Sequence, residues 1–153
     1  FGPNELHKND MRSVVCRSFE QIRDTGKVKL FKSYRSDYAD GEQMRDFIYV
    51  KDAVKMVLFL MNNPDRNGLY NIGSGRAETW NALVSAVFKA MGRKPEIEYI
   101  DMPESLRAKY QYYTKAEMRK LKQAGYFEDA RPLEDSVSDY VKNYLIPGRY
   151  LGD

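Results

Sequence analysis

Three clusters hold the side chains most able to do chemistry. His7-Lys8-Asn9-Asp10 sets an amine beside a carboxylate in an opening loop. A lysine becomes a base when burial or neighbours lower its pKa, and is otherwise a solvated charge. Asp10 can accept a hydrogen bond from a substrate hydroxyl or cap the following helix. Phe31-Lys32-Ser33-Tyr34, together with Arg45, offers aromatic faces and cations able to enclose a flat base and its phosphates. Tyr110-Gln111-Tyr112-Tyr113-Thr114 places aromatic hydroxyls ahead of an expected helix N-terminus, where anions are favoured, or packs those rings into core or interface.

Arg45-Asp46-Phe47-Ile48-Tyr49-Val50-Lys51-Asp52 is the densest signal. Phe47 to Val50 reads as a strand buried on both faces. Asp52 would cap a helix to about Asn62, with Val54, Val57, Leu58 and Met61 along one face of a core helix. An arginine at a rigid strand end can grip a diphosphate through two N–H groups, or pair with Asp46 or another carboxylate.

The elements that must position these clusters alternate between helix and short strand. Asp10 opens a helix from about Met11 to Asp24 with Val14, Val15, Phe19 and Ile22 inward. Val28–Phe31 and Glu96–Ile100 read as strands, and Lys32–Met44 as a polar loop. Gly68 to Ile72 reads as a strand entering the turn Gly73-Ser74-Gly75. Thr79–Met91 is a helix with Trp80, Leu83, Val84, Val87, Phe88 and Met91 on one stripe, closed by Gly92. Thr114-x-x-Glu117 has the form of a capping box for a helix to about Ala124, and Pro132 opens a last helix with Leu133, Val137, Tyr140, Val141, Tyr144 and Leu145 inward. The fold class is mixed α/β, and four short strands are too few for a nucleotide-binding sheet. Gly73-Ser74-Gly75-Arg76 lacks the third glycine and the later acidic residue of a dinucleotide fingerprint.

With 153 residues there is room for one domain with a modest core, and 42 % hydrophobic with 31 % charged residues is ordinary for a soluble globular protein. The net charge of +3 does not by itself point to nucleic acid. Ser105–Gly125 carries six cations against one carboxylate, with Tyr110, Tyr112 and Tyr113 among them. That is the pattern of a nucleic-acid surface, or of a solvated face beside an anionic small-molecule site. The single cysteine, Cys16, excludes an internal disulfide, fits a reducing cytoplasm and falls on a core helix face. One histidine and no Cys/His cluster argue against zinc, and no apolar run is long enough to span a bilayer. The first residues, Phe1-Gly2-Pro3-Asn4, lack an initiator Met and form a turn, as expected of a piece of a longer protein.

The order Phe1-Gly2-Pro3, then Arg45 to Asp52, then Tyr70-Asn71-Ile72-Gly73-Ser74-Gly75 resembles the C-terminal half of extended short-chain dehydrogenases/reductases that modify nucleotide sugars. Gly2 to Met11, Asn71 to Glu78 and Tyr110 to Thr114 narrow the resemblance to the ADP-L-glycero-D-manno-heptose 6-epimerase family, over essentially all 153 residues. The resemblance implies an α/β substrate-binding portion of mixed helices and short strands spanning residues 1–153, without the N-terminal NADP-binding Rossmann domain. It implies an NADP-dependent epimerase for the lipopolysaccharide core, working by oxidation and re-reduction at C6 of an ADP-heptose. Such inversion needs a proton-handling group on each side of the carbon. One is an upstream Tyr of a Tyr-x-x-x-Lys motif, and the other matches Lys8, which also lies at the cofactor. Substrate positions carried over are Asp10, Arg17, Phe31, Lys32, Ser33, Tyr34, Arg45 and Tyr110. Asp10 and Arg17 depart from the Ser and His frequent there, and the Tyr34–Met44 loop is longer than in the enterobacterial form. The 153 residues alone are expected to be inactive. The whole protein is expected to be a cytoplasmic homo-oligomer that binds an ADP-sugar and neither nucleic acid nor membrane. A UDP-hexose 4-epimerase or another nucleotide-sugar epimerase/dehydratase is the alternative among enzymes, and a basic, tyrosine-rich nucleic-acid-binding module the alternative outside them.

Overall fold

Helix α1 (Val14–Thr25) shows how the core is seeded. Ser13 caps it, its hydroxyl accepting from Cys16 N–H at 3.3 Å, and Gly26 closes it with a left-handed φ of 79°. Val15, Cys16, Phe19 and Ile22 are buried along one stripe. The helix starts three residues later than expected, because Ser13, and not Asp10, supplies the cap. The computed structural model describes all 153 residues.

Two small sheets frame the rest. Strand β1 (Val28–Phe31) pairs in parallel with β4 (Ile97–Ile100), Val28 opposite Ile97 and Phe31 opposite Ile100. Strand β2 (Met44–Arg45) pairs antiparallel with β3 (Glu78–Thr79). Between them run α2 (Val50–Met61) and α3 (Trp80–Ala90), followed by the short helices α4 (Glu104–Arg107) and α5 (Arg119–Gln123). Helix α6 (Leu133–Tyr140) continues into a π-turn over Val141–Leu145. The main core joins α1, β1, α3 and α6 through residues such as Ile22, Val87, Phe88 and Tyr140. A second core under α2 gathers Met56, Leu121, Tyr126 and Ala130.

Several expectations are corrected. The strand expected at Arg45–Val50 ends at Arg45, and Asp46–Tyr49 is extended chain. A strand needs a ladder, and the backbone around Tyr49 pairs with Phe1 alone: the Phe1 amine donates to Ile48 O (3.0 Å) and Val50 N–H to Phe1 O (2.9 Å). Asp52 is not the cap of α2. Tyr49 holds that position, and Asp52, 3 % exposed, accepts Arg131 N–H at 3.0 Å. The face Val54, Val57, Leu58 and Met61 lies in solvent, 45–68 % exposed, while Met56 points inward. Gly68–Ile72 forms no strand, and the helix after Thr114 begins only at Arg119. Thr114 Oγ instead accepts Asp46 N–H at 3.4 Å.

Candidate functional site: a caged arginine beside a tyrosine ladder

Arg45 ends β2, which has neighbours on both sides. On one side it pairs with β3. On the other, Met44 N–H donates to Tyr112 O (2.8 Å) and Thr114 N–H to Met44 O (3.2 Å). The backbone thus carries Arg45 between Tyr110 and Trp80, the first residue of α3. The guanidinium carbon lies 5.3 Å from the Tyr110 ring centre and 5.8 Å from that of Trp80. Its N–H groups donate to Met44 O at 2.8 Å and to Gln111 O. No carboxylate pairs with it, so the charge is held by two rings and two carbonyls and keeps N–H groups for an anion.

Pairing with Asp46 is excluded by what Asp46 does. Its Oδ1 accepts Ser74 N–H (2.7 Å) and Ser74 Oγ–H (2.6 Å), and its Oδ2 accepts Gly75 N–H (2.9 Å) and Ala116 N–H (3.0 Å). The turn Gly73-Ser74-Gly75 is closed around that carboxylate so tightly that a Cβ on Gly73 would lie 2.3 Å from Ala116 Cβ. A loop whose N–H groups already bind a carboxylate does not fit a dinucleotide pyrophosphate, which would meet a like charge there. These residues therefore build no cofactor cradle of their own.

Beyond Arg45 the rings continue. Tyr110 lies 5.4 Å from Tyr112, and Tyr112 5.4 Å from Tyr38, centre to centre. The Tyr112 hydroxyl accepts Tyr34 N–H at 3.0 Å, which fixes the loop after β1. Tyr34 donates to Asp101 (3.1 Å) and lies under the Arg107 guanidinium, 4.0 Å from its ring centre. Lys32 pairs with Asp101 at 3.1 Å, and Ser33 N–H donates to Asp40 at 2.6 Å. Burial raises the Tyr110 hydroxyl above its ordinary pKa, partly offset by Arg45, so it stays a neutral hydroxyl near pH 7. Hydrogen bonding to Lys32 and Tyr34 holds the Asp101 carboxyl below its usual range.

The structure thus gathers Lys32, Ser33, Tyr34, Arg45 and Tyr110 along one continuous run, with Phe31 ending the strand that leads into it. Lys8 and Asp10 sit apart, exposed in a 3-10 turn over Leu6–Met11, and Arg17 is exposed on α1. No hydrogen bond or ion pair joins those three to the Arg45 run. The largest concavity, about 950 Å³, opens between the Gly73–Arg76 turn and α5 and includes none of the expected site residues. Trp80 and Arg107 are parts of the site that residue type and spacing did not single out. Trp80 packs against the main core as its place on the helix stripe predicts, 4.9 Å from the Phe47 ring, and its buried Nε1–H has no hydrogen-bond partner.

The model of the NAD dependent epimerase/dehydratase family matches residues 1–73. Curated relatives named ADP-L-glycero-D-manno-heptose-6-epimerase include one from Nitratidesulfovibrio vulgaris, 57 % identical over 145 residues. Another, from Fusobacterium nucleatum, is 42 % identical over 151 residues. Each match covers 95 % of this chain, which spans 45 % and 46 % of the respective relatives. The crystal structure of the Helicobacter pylori ADP-L-glycero-D-manno-heptose-6-epimerase superposes with a TM-score of 0.75 at 25 % identity, over 94 % of this chain and 41 % of that one.

Proposed function

We propose that residues 1–153 are the substrate-binding part of an NADP-dependent epimerase that converts ADP-D-glycero-D-manno-heptose to ADP-L-glycero-D-manno-heptose, for the lipopolysaccharide core. The observation that carries this is Arg45, a cation without a carboxylate partner, held rigid in a chain 57 % identical to a relative named for that substrate. Arg45 would hold the diphosphate, with Lys32, Ser33, Tyr34 and Tyr110 around the nucleotide, and Asp10 and Arg17 toward the sugar. Lys8 would move the proton at C6 on one face. NADP would be bound mainly by an upstream nucleotide-binding part, since the only Gly-rich turn here is filled by Asp46. The exposed apolar face of α2 supports that domain reading: Val54, Val57, Leu58 and Met61 suit a packing surface for that part. The whole enzyme is read as a cytoplasmic homo-oligomer. No helix is long and apolar enough to cross a membrane.

The nucleic-acid reading has less support, because half of the basic segment's six charges are engaged locally. Arg107 stacks on Tyr34, Lys120 donates to Leu69 O at 2.7 Å, and Lys122 meets Asp129 at 3.4 Å. The test is to assay the intact enzyme with ADP-heptose and with UDP-hexose, alongside Lys8→Ala and the 153-residue chain alone. Turnover of ADP-heptose is expected only in the intact wild type. Preference for UDP-hexose, or unchanged turnover by Lys8→Ala, would refute the assignment.

A further inference from the structure

The Lys8 turn is exposed from Leu6 to Met11 and buries nothing, yet it has a defined shape. Asn9 within it adopts φ 47°, ψ −120°, a conformation costly for a residue with a side chain. Arg12 holds Asn9 directly, its N–H (3.2 Å) and Nε–H (2.7 Å) both donating to Asn9 O, and one further residue reaches both ends of the turn. Glu5, 5 % exposed, accepts Lys8 N–H at 3.0 Å through its carbonyl, opening the turn. Its carboxylate accepts Ser13 N–H (2.5 Å) and Ser13 Oγ–H (2.6 Å), fixing the far end where α1 begins. The Tyr140 hydroxyl donates to the same carboxylate at 2.9 Å and ties it to the last helix. No cation pairs with Glu5. Its partners are neutral donors and the N-terminus of α1.

We infer that Glu5 is a positioning residue for Lys8: its buried carboxylate clamps the turn and sets where the amine stands. The catalytic part of this inference rests on the proposed role of Lys8, whereas the clamp does not. Glu5→Gln keeps the shape but puts an amide NH2 against the Ser13 and Tyr140 donors, so part of the clamp is lost. In the intact enzyme, Glu5→Gln should lower kcat about 10- to 100-fold, the effect of a misplaced catalytic group, while KM for ADP-heptose changes less than about twofold. In the same intact enzyme, tryptic cleavage after Lys8 should speed up at least about fivefold as the turn opens more often.

If Glu5 only supported folding, Glu5→Gln would reduce the yield of folded enzyme but leave kcat per folded molecule unchanged, and that result would overturn the inference. Should Glu5→Gln fail to fold, Tyr140→Phe removes one donor and leaves the carboxylate. It should lower kcat several-fold with KM held, and unchanged kcat with unchanged cleavage at Lys8 would equally overturn it. Failure of the functional reading looks different: Lys8→Ala would then keep full turnover, while Glu5→Gln would still accelerate cleavage at Lys8.

Discussion

Replacing Asp46 with Asn tests whether one carboxylate organises the arginine site. Asp46 accepts four hydrogen bonds, two on each oxygen, from Ser74, Gly75 and Ala116. Asn keeps one oxygen and so two of them. Its NH2 faces the other two donors and leaves them unpaired. An unsatisfied buried donor costs about 1–3 kcal/mol, and bonds to a charged acceptor are worth more than neutral ones. The site is half-buried, so water recovers part of this, and about 2–4 kcal/mol remains. For a chain of this size each kcal/mol moves the midpoint by about 2–4 °C, which puts the expected fall in Tm at about 5–15 °C. Thermal unfolding followed by circular dichroism at neutral pH measures it. Because Asp46 also joins the Gly73–Gly75 turn and Ala116 to the residue after Arg45, ADP binding should weaken in step. A Tm within about 2 °C of wild type would show that the four contacts do not hold the turn, and the account of a filled, cofactor-excluding loop would fail with it.

Arg45→Lys removes the fork that meets two carbonyls and an anion at once. Losing a bidentate contact of about 1.5–3 kcal/mol should weaken ADP binding roughly 10- to 100-fold by calorimetry in the intact enzyme, and a change below about twofold would reject the diphosphate role. On α2, Met56→Ala should cost about 2–4 kcal/mol in urea unfolding, while Leu58→Lys in the 153-residue chain should cost under about 0.5 kcal/mol. The reverse ranking would put the apolar face back in the core. Burial acts to raise the Asp139 carboxyl, but hydrogen bonds from Lys51, Asn143 and Tyr49 outweigh it and hold the carboxyl below its ordinary value. A depressed carboxyl stabilises the fold above its unfolded pKa of about 3.9 and loses that contribution as pH falls through the lower folded value. Asp139→Asn should therefore cost about 1–3 kcal/mol at pH 7, with the gap to wild type closing below about pH 4. A gap that widens in acid would contradict the sign.

What was legible in the sequence was local. The stripe of α3 and the inward residues of α1 are periodic, and both β1 and β4 alternate as half-buried strands. Illegible features depended on partners. Phe47–Tyr49 has the composition of a strand, yet a strand exists only where a neighbour supplies a ladder, and here Phe1 is the one residue that does. Periodicity placed Val54, Val57, Leu58 and Met61 on one face of α2 but could not say whether that face meets core or solvent. The site divides the same way. Arg45, Tyr110 and Tyr112 could be picked out by residue type, whereas Trp80 and Arg107 join them only through pairings of elements far apart in the chain.

The two proposed centres share a physical device. Asp46 adjoins Arg45, and Glu5 lies one helical turn before Lys8, spacings at which a carboxylate would ordinarily neutralise its neighbour. In both, the carboxylate is turned away and engaged by neutral donors, mainly backbone N–H groups at Asp46 and mainly hydroxyls at Glu5. Arg45 and Lys8 are consequently left with no acidic partner of their own. A cation already paired would have to break that pair before meeting a phosphate or a reacting hydroxyl, and part of the binding energy would be lost to the exchange. The same arrangement implies a sign for each variant: removing the negative charge of Asp46 or Glu5 should strengthen bare electrostatic attraction for anions. If Asp46→Asn nevertheless weakens ADP binding, geometry outweighs net charge at Arg45, which is what a guanidinium held by two carbonyls and two rings requires.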